Sequence, residues 1–249
     1  MNRDLSQEHV LITGGGTGVG AACAQAFAAA GATVTLMGRT EKTLVEQGLP
    51  YEVCDVTDAA SVTSAVARAA AARGPVSVAL ANAGAAESVP FAKMQPEMLN
   101  AMMAVNLNGV VNLWQAVLPG MKEAGRGRMI AVASTAGLKG YPYVSAYCAA
   151  KHAVVGLTRG LAKELARTGI TVNAICPGFV ETPMLQRSID NIRAKTGMSA
   201  EDAAGALKAD NPQGRFVQPE EVADAALWLA SSGAASVNGH ALALTGGEI

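Results

Sequence analysis

Tyr147 and Lys151 stand four residues apart in Tyr147-Cys148-Ala149-Ala150-Lys151, inside an alanine-rich stretch that predicts a helix over 145–168. That spacing is about one helical turn, so both side chains fall on one face. A phenol beside an ammonium is an acid/base device: the cation favours the phenolate and draws the phenol down from its ordinary value of about 10. Ser134 comes thirteen residues before Tyr147, at the end of the apolar run RMIAVAS. There its hydroxyl could hold a carbonyl or a developing oxyanion beside the phenol. A YxxxK pair alone is common on helix surfaces. Ser134, Tyr147 and Lys151 in this order, behind a phosphate-binding turn, are far more specific.

Such a turn follows the first apolar run: Thr13-Gly14-Gly15-Gly16-Thr17-Gly18-Val19-Gly20, leading into a helical pattern. Glycines let the backbone turn sharply and approach a pyrophosphate, and the next helix offers N–H donors and the positive end of its dipole. Between the first strand and first helix of an alternating chain, this reads as a dinucleotide site. The adenosine ribose of a dinucleotide is usually read at the end of the second strand. Here Leu36-Met37-Gly38-Arg39-Thr40 has no carboxylate at that place and has an arginine next to it. A guanidinium binds a phosphate through two parallel hydrogen bonds, so NADP(H) is expected. In the alternative, Arg39 is a solvated turn residue and NAD(H) binds. Asp55, just after the third apolar run, is placed to hold the adenine amino group.

The elements that must position these residues alternate along the whole chain. Apolar runs at 9–13, 33–37, 51–54, 76–81, 128–134, 170–176 and 240–245 predict strands, and alanine-rich stretches at 18–30, 59–73, 96–122, 145–168 and 219–231 predict helices. Near-continuous apolar strands between helices are the pattern of a parallel sheet covered on both faces, and right-handed crossovers favour a doubly wound, Rossmann-like α/β sheet. No linker divides residues 1–249, which read as a single domain. Residues 183–215 are more polar and carry Arg187, Arg193, Lys195, Lys208 and Arg215. They read as a helical lid over the ligand crevice, or else as a solvated insertion.

Composition bounds the alternatives. The 249 residues are 50% hydrophobic and 16% charged, with a net charge of −1, so no global field draws the chain to nucleic acid or an anionic membrane. No apolar run approaches the ~20 residues of a membrane helix, and the polar start MNRDLSQEH does not read as a signal peptide. Cys23, Cys54, Cys148 and Cys176 are scattered, and His9, His152 and His240 show no ligand spacing. The cysteines read as small core residues in a reducing compartment, the expected location is the cytoplasm, and no metal site is expected. Trp114, Met102 and Met103 read as core or subunit-interface residues.

From about residue 9 to residue 247 the chain resembles the short-chain dehydrogenase/reductase family. The motifs are TGxxxGxG (13–20), CDVTD (54–58), NAG (82–84), VNLNG (105–109), AST (133–135), YCAAK (147–151) and CPGFVETPM (176–184). The resemblance implies an active oxidoreductase with a catalytic tetrad of Asn106, Ser134, Tyr147 and Lys151. Asn106 would hold a water linking Lys151 to solvent, and Lys151 would also bind the nicotinamide ribose. Gly14, Gly16, Thr17, Gly18, Val19, Gly20, Asp55, Val56, Asn82, Ala83, Gly84, Pro177 and Gly178 would line the cofactor. Val180 and Thr182 would hold its carboxamide end. A homotetramer is implied as well.

Within the family, 164–184 and 214–247 are similar to bacterial type II polyketide ketoreductases, 3-oxoacyl-thioester reductases and 3-hydroxyacyl-CoA dehydrogenases. The chain departs from the polyketide enzymes in its shorter 38–50 stretch and in 85–92, which lack a glycine run after NAG. The implied substrate is a ketone beta to a thioester, on coenzyme A or acyl carrier protein. The alternatives are a small free ketone or alcohol and, from another class, a cofactor-binding regulator.

Overall fold

Strands buried on both faces have no polar side to show, and this is why the apolar runs lack alternation. In the computed structural model, which describes residues 5–249, they become β1 (His9–Thr13), β2 (Thr33–Gly38), β3 (Tyr51–Val53), β4 (Val78–Ala81), β5 (Gly127–Val132), β6 (Ile170–Pro177) and β7 (Ala241–Leu244). Among the described residues they form one parallel sheet in the order β3-β2-β1-β4-β5-β6-β7. The chain winds outward from β1 in one direction and from β4 in the other. The crevice at the carboxyl ends of β1 and β4 is therefore the topological switch point, where such sheets bind ligands.

Nine helices follow among the described residues: α1 (Gly18–Ala29), α2 (Glu41–Val45), α3 (Ala59–Arg73), α4 (Pro96–Met103), α5 (Gly109–Ala124), α6 (Ser145–Glu164), α7 (Pro183–Thr196), α8 (Ala200–Lys208) and α9 (Pro219–Ala230). Two apolar cores lie on opposite faces of the sheet. Val10 and Ile12 of β1 pack with Phe27 of α1 and Val222 of α9. Leu11 points the other way, toward Val62 of α3, Trp114 of α5 and Val154 of α6. The result is the doubly wound, single-domain α/β fold expected from the alternation. Residues 1–4 of the expected span lie outside the described residues.

The departures are local. The stretch read as one helix over 96–122 is three pieces, because Ala104–Asn108 widens into a π-helical turn between α4 and α5. Helix α6 stops at Glu164, short of 168. Strand β5 ends at Val132, two residues before Ser134. The stretch Pro96–Ala124 spans 29 residues and is, by length and composition, apolar enough to cross a membrane. In the fold it covers the sheet, with Val110, Leu113, Trp114, Val117 and Met121 buried. All four cysteines are buried free thiols.

Candidate active site

The glycine turn is built by contacts that admit no side chain. Gly14 and Gly18 hold φ of 63° and 54°, the left-handed region that glycine occupies without strain. A Cβ on Gly16 would stand 2.6 Å from Thr43 Oγ1, and one on Gly20 would overlap the Gly14 carbonyl. The turn is braced from β4: Asn82 Nδ2 donates to the Thr13 and Gly14 carbonyls at 3.0 and 3.2 Å. The Asn82 and Ala83 amides donate to Thr13 Oγ1 at 3.0 and 3.1 Å. Thr13 is thus a second brace, one that the sequence reading passed over. Its signal was a hydroxyl at the end of an otherwise apolar strand.

A cleft of about 210 Å³ opens beside this turn, lined by Gly14, Gly16, Thr17, Arg39, Val56, Ala83 and Gly84 among others. Thr40, Thr43, Leu44, Cys54 and Val105 also line it and were not expected; the five-residue α2 that supplies two of them is too short to show periodicity. The cradle fits a dinucleotide phosphate. Its glycines leave backbone exposed to the cleft, and the N-terminus of α1 has no side-chain cap from Thr17, so its first amides keep donors for an anion. Asp55 lies beside the cleft but not on its lining. Its Oδ1 accepts from the Thr57 amide and hydroxyl at 2.9 and 2.8 Å. These bonds, aided by the Arg39 charge, hold its carboxyl below the ordinary value.

Pro177, Gly178, Val180 and Thr182, at and beyond the end of β6, do not line this cleft; Thr182 approaches the glycine turn at Gly18. Thr182 Oγ1 donates to the Val180 carbonyl at 3.2 Å and accepts from the Leu185 amide, capping α7. Its methyl lies 3.2 Å from where a Cβ on Gly18 would be. Val180 bridges to Val217, and the Gly178 amide donates to Leu244, so Pro177–Thr182 is anchored on both sides. Helix α7 then leads into the excursion read as a lid. It has its own small core of Leu185, Ile189, Ala203 and Phe216, and Lys195 Nζ donates to the Ser88 carbonyl at 3.0 Å. These helices pack on one another and reach the Ser88 loop, while most of their side chains stay exposed and none lines the cleft.

Ser134, Tyr147 and Lys151 converge next to the cleft. The Ser134 hydroxyl accepts from the Ala136 amide at 3.1 Å and lies against the Tyr147 phenol. Tyr147 keeps part of its surface, but its surroundings are dense enough that burial, only partly offset by Ser134, pushes the phenol up to about 12. Lys151 is 4% exposed; burial pulls it down to about 8. Its Nζ donates to the Val132 carbonyl at 2.8 Å and stands 5.6 Å from the Tyr147 ring centre. The expected lowering of Tyr147 by Lys151 is therefore not present in the chain alone. Desolvation of the phenol outweighs a cation that is itself turned to a carbonyl.

Asn106 sits in the π-helical turn, fully buried, and such turns are frequent at functional sites. Its Nδ2 donates to the Ala85 and Met102 carbonyls at 2.9 and 3.0 Å, and its Oδ1 accepts from the Ala85 amide at 3.3 Å. Both Nδ2 protons are used, so a water on this side chain would have to donate to the remaining lone pair of Oδ1. A Cβ on Gly84 would stand 2.8 Å from Asn106 Oδ1 and 3.6 Å from Lys151 Nζ; the bare backbone of Gly84 is what lets these residues share one wall.

A glycine-rich turn at the switch point of a doubly wound sheet, with half-buried Ser134 and Tyr147 and buried Lys151 beside it, fits a dinucleotide-dependent α/β oxidoreductase. The comparisons agree. The family model for short chain dehydrogenases matches residues 8–193. A Streptomyces virginiae protein named as a monensin polyketide synthase ketoacyl reductase is 43% identical, with 95% of each chain covered. The D-beta-hydroxybutyrate dehydrogenase of Cupriavidus necator is 36% identical (98% of this chain, 99% of that one). The acetoacetyl-CoA reductase of Rhizobium meliloti is 35% identical (96% and 97%). The crystal structure of a variant actinorhodin polyketide ketoreductase with NADPH superposes with a TM-score of 0.92 at 37% identity, covering 97% of each chain. The chain belongs to the short-chain dehydrogenase family.

Proposed function

We propose that this chain interconverts a ketone and a secondary alcohol on a 3-oxoacyl thioester, using NADP(H). The observation that carries the reading is the convergence of the Ser134 hydroxyl, the Tyr147 phenol and buried Lys151 behind Gly84, which lines the glycine-turn cleft. When bound, the dinucleotide supplies or accepts the hydride. Ser134 holds and polarises the carbonyl oxygen, and Tyr147 gives that oxygen its proton in reduction or removes it in oxidation. Lys151 is placed to bind the nicotinamide ribose and, with the cofactor in place, to favour the phenolate that the chain alone does not show, while Asn106 fixes the Ala85 loop beside it.

The cofactor preference rests on Arg39, exposed at the cleft lip, and the NADPH-bound relative supports it. Native enzyme is expected to show a lower KM for NADPH than for NADH, and Arg39→Ala to shrink that preference. Loss of a charge-assisted phosphate contact should cost NADPH about 1.5–3 kcal/mol and NADH little. Steady-state kinetics with both cofactors checks this, and a native enzyme that prefers NADH overturns it.

The thioester reading draws on relatives named for ketoacyl and acetoacetyl-CoA reduction. The chain's own support is the charge of the helical excursion, which is narrower than the sequence suggests. Arg215 pairs with Glu221 at 2.6 Å, Lys208 lies 5.0 Å over the Phe216 ring, and Lys195 is turned to Ser88. Arg187 is exposed and Arg193 only loosely paired, 3.6 Å from Asp190. Acetoacetyl-CoA should exceed an acetoacetate ester in kcat/KM, because remote binding energy positions the ketone. Neutralising Arg187 and Arg193 together should penalise the CoA substrate selectively, less so at high salt. Equal activity on both substrates, indifferent to the substitutions, would instead favour a free ketone or hydroxy acid, the substrate type of the hydroxybutyrate dehydrogenase relative.

A further inference from the structure

The segment between Ser134 and Tyr147 is tied to the last residues of the chain by a buried carboxylate. The Glu248 side chain keeps 4% of its surface, and a carboxylate that far from water needs partners. Lys139 Nζ lies 2.6 Å from Glu248 Oε1, and the Tyr141 hydroxyl donates to the same oxygen. With its proton given to the carboxylate, the Tyr141 oxygen accepts from the Thr135 hydroxyl across 2.7 Å. Thr135 is buried and directly follows Ser134, so a continuous hydrogen-bonded chain runs from the C-terminal tail to the residue beside the serine.

The same group reaches the helical excursion. Lys139 lies 3.9 Å from Asp210, and Tyr141 meets the Phe179 ring edge-on at 6.2 Å. The tail is wedged against 211–212: a Cβ on Gly246 would overlap Asn211, and one on Gly247 would touch Pro212 at 3.6 Å. The anchored segment needs holding. Beyond the short 3-10 turn Thr135–Gly137 it has no regular structure before α6. Tyr143 within it sits at φ 67°, a left-handed conformation that costs a non-glycine residue on the order of 1 kcal/mol or more and persists only where the surroundings impose it. A Cβ on Gly137 would stand 2.7 Å from the Lys151 carbonyl, so movement here presses directly on the helix of Tyr147 and Lys151.

We propose that Glu248 is a positioning residue: through Tyr141 and Lys139 it fixes the segment joining Ser134 to Tyr147, and through Asp210 and the 211–212 turn it couples that segment to the helical excursion. The inference rests on the roles given above to Ser134 and Tyr147.

The test compares Glu248→Ala, Glu248→Gln, Lys139→Met and the Glu248→Ala/Lys139→Met double variant, with kcat expressed per NADPH site titrated by fluorescence so that misfolded chains do not count. Misplacement of about 1 Å costs up to ~10²-fold in rate, so Glu248→Ala and Lys139→Met are each expected to lose about tenfold or more in kcat, with NADPH affinity changed less than about twofold. Glu248→Gln, which keeps an acceptor for Tyr141, should fall between Glu248→Ala and native. Because the two residues act as one unit, the double variant should lose no more than the worse single. Native-like kcat per site in Glu248→Ala or Lys139→Met, or losses that multiply in the double variant, overturns the proposal. Tyr147→Phe in the same assay separates the two layers. If that variant stays active, the underlying reading fails; if it is inactive while Glu248→Ala turns over normally, only the positioning role fails.

Discussion

Tyr147→Phe is expected to lower kcat by roughly 10²–10⁴-fold, the usual contribution of a positioned acid or base, while NADPH binds within about twofold of native. The substitution removes one oxygen. The ring still packs in α6, and Lys151 keeps its bond to the Val132 carbonyl, so the cofactor cleft should not move. What is lost is the group that exchanges a proton with the substrate oxygen. Ser134 cannot replace it, because a hydroxyl already placed to polarise that oxygen is a far weaker acid. Stopped-flow and steady-state turnover, paired with fluorescence titration of NADPH, separate the two effects. Native-like turnover in the purified variant would remove Tyr147 from the chemistry.

How far the sequence carries depends on the range of the contacts involved. The alternation of buried strands with helices is a local pattern repeated along the chain, and the sheet order follows from it with few choices. The glycine turn is equally legible, since Gly14, Gly16 and Gly20 occupy positions where a Cβ meets backbone or side chain. The pairing of Tyr147 with Lys151 is a helix-period inference, and α6 bears it out.

What could not be read lies across the fold. The π-helical turn at Ala104–Asn108 has no signature in its composition, and it is stabilised by bonds from Asn106 to a loop 21 residues away. The ionisation of Tyr147 was misjudged because spacing shows the neighbouring cation but not the depth of burial, and depth decides the sign. Thr13 bracing Asn82 and Glu248 gripping Lys139 join positions 69 and 109 residues apart; nothing in a single sequence marks such partners.

Lys151→Met should give an enzyme that is less active yet at least as stable. In the folded chain burial takes Lys151 from 10.5 down to about 8, a shift that corresponds to about 3 kcal/mol against its charged form. The unfolded chain therefore binds more protons between pH 8 and 10.5, so native stability rises with pH across that window and the full penalty applies below it. Methionine fills similar volume without charge but gives up a charge-assisted bond to the Val132 carbonyl, about 1.5–3 kcal/mol, leaving a net gain of up to about 1.5 kcal/mol at pH 7. For a chain of this size that is at most on the order of 4 °C in Tm. The advantage should shrink near pH 10, and a variant melting below native at pH 7 would contradict the argument. Function should move the opposite way. A charged contact to the nicotinamide ribose is worth about 1.5–3 kcal/mol, so NADPH affinity should fall roughly tenfold or more, and kcat should fall with it. Native NADPH binding should also weaken as pH rises past about 8 and the free enzyme's Lys151 loses its proton. The methionine variant has no proton to lose there, and its binding curve should stay flat through the same range.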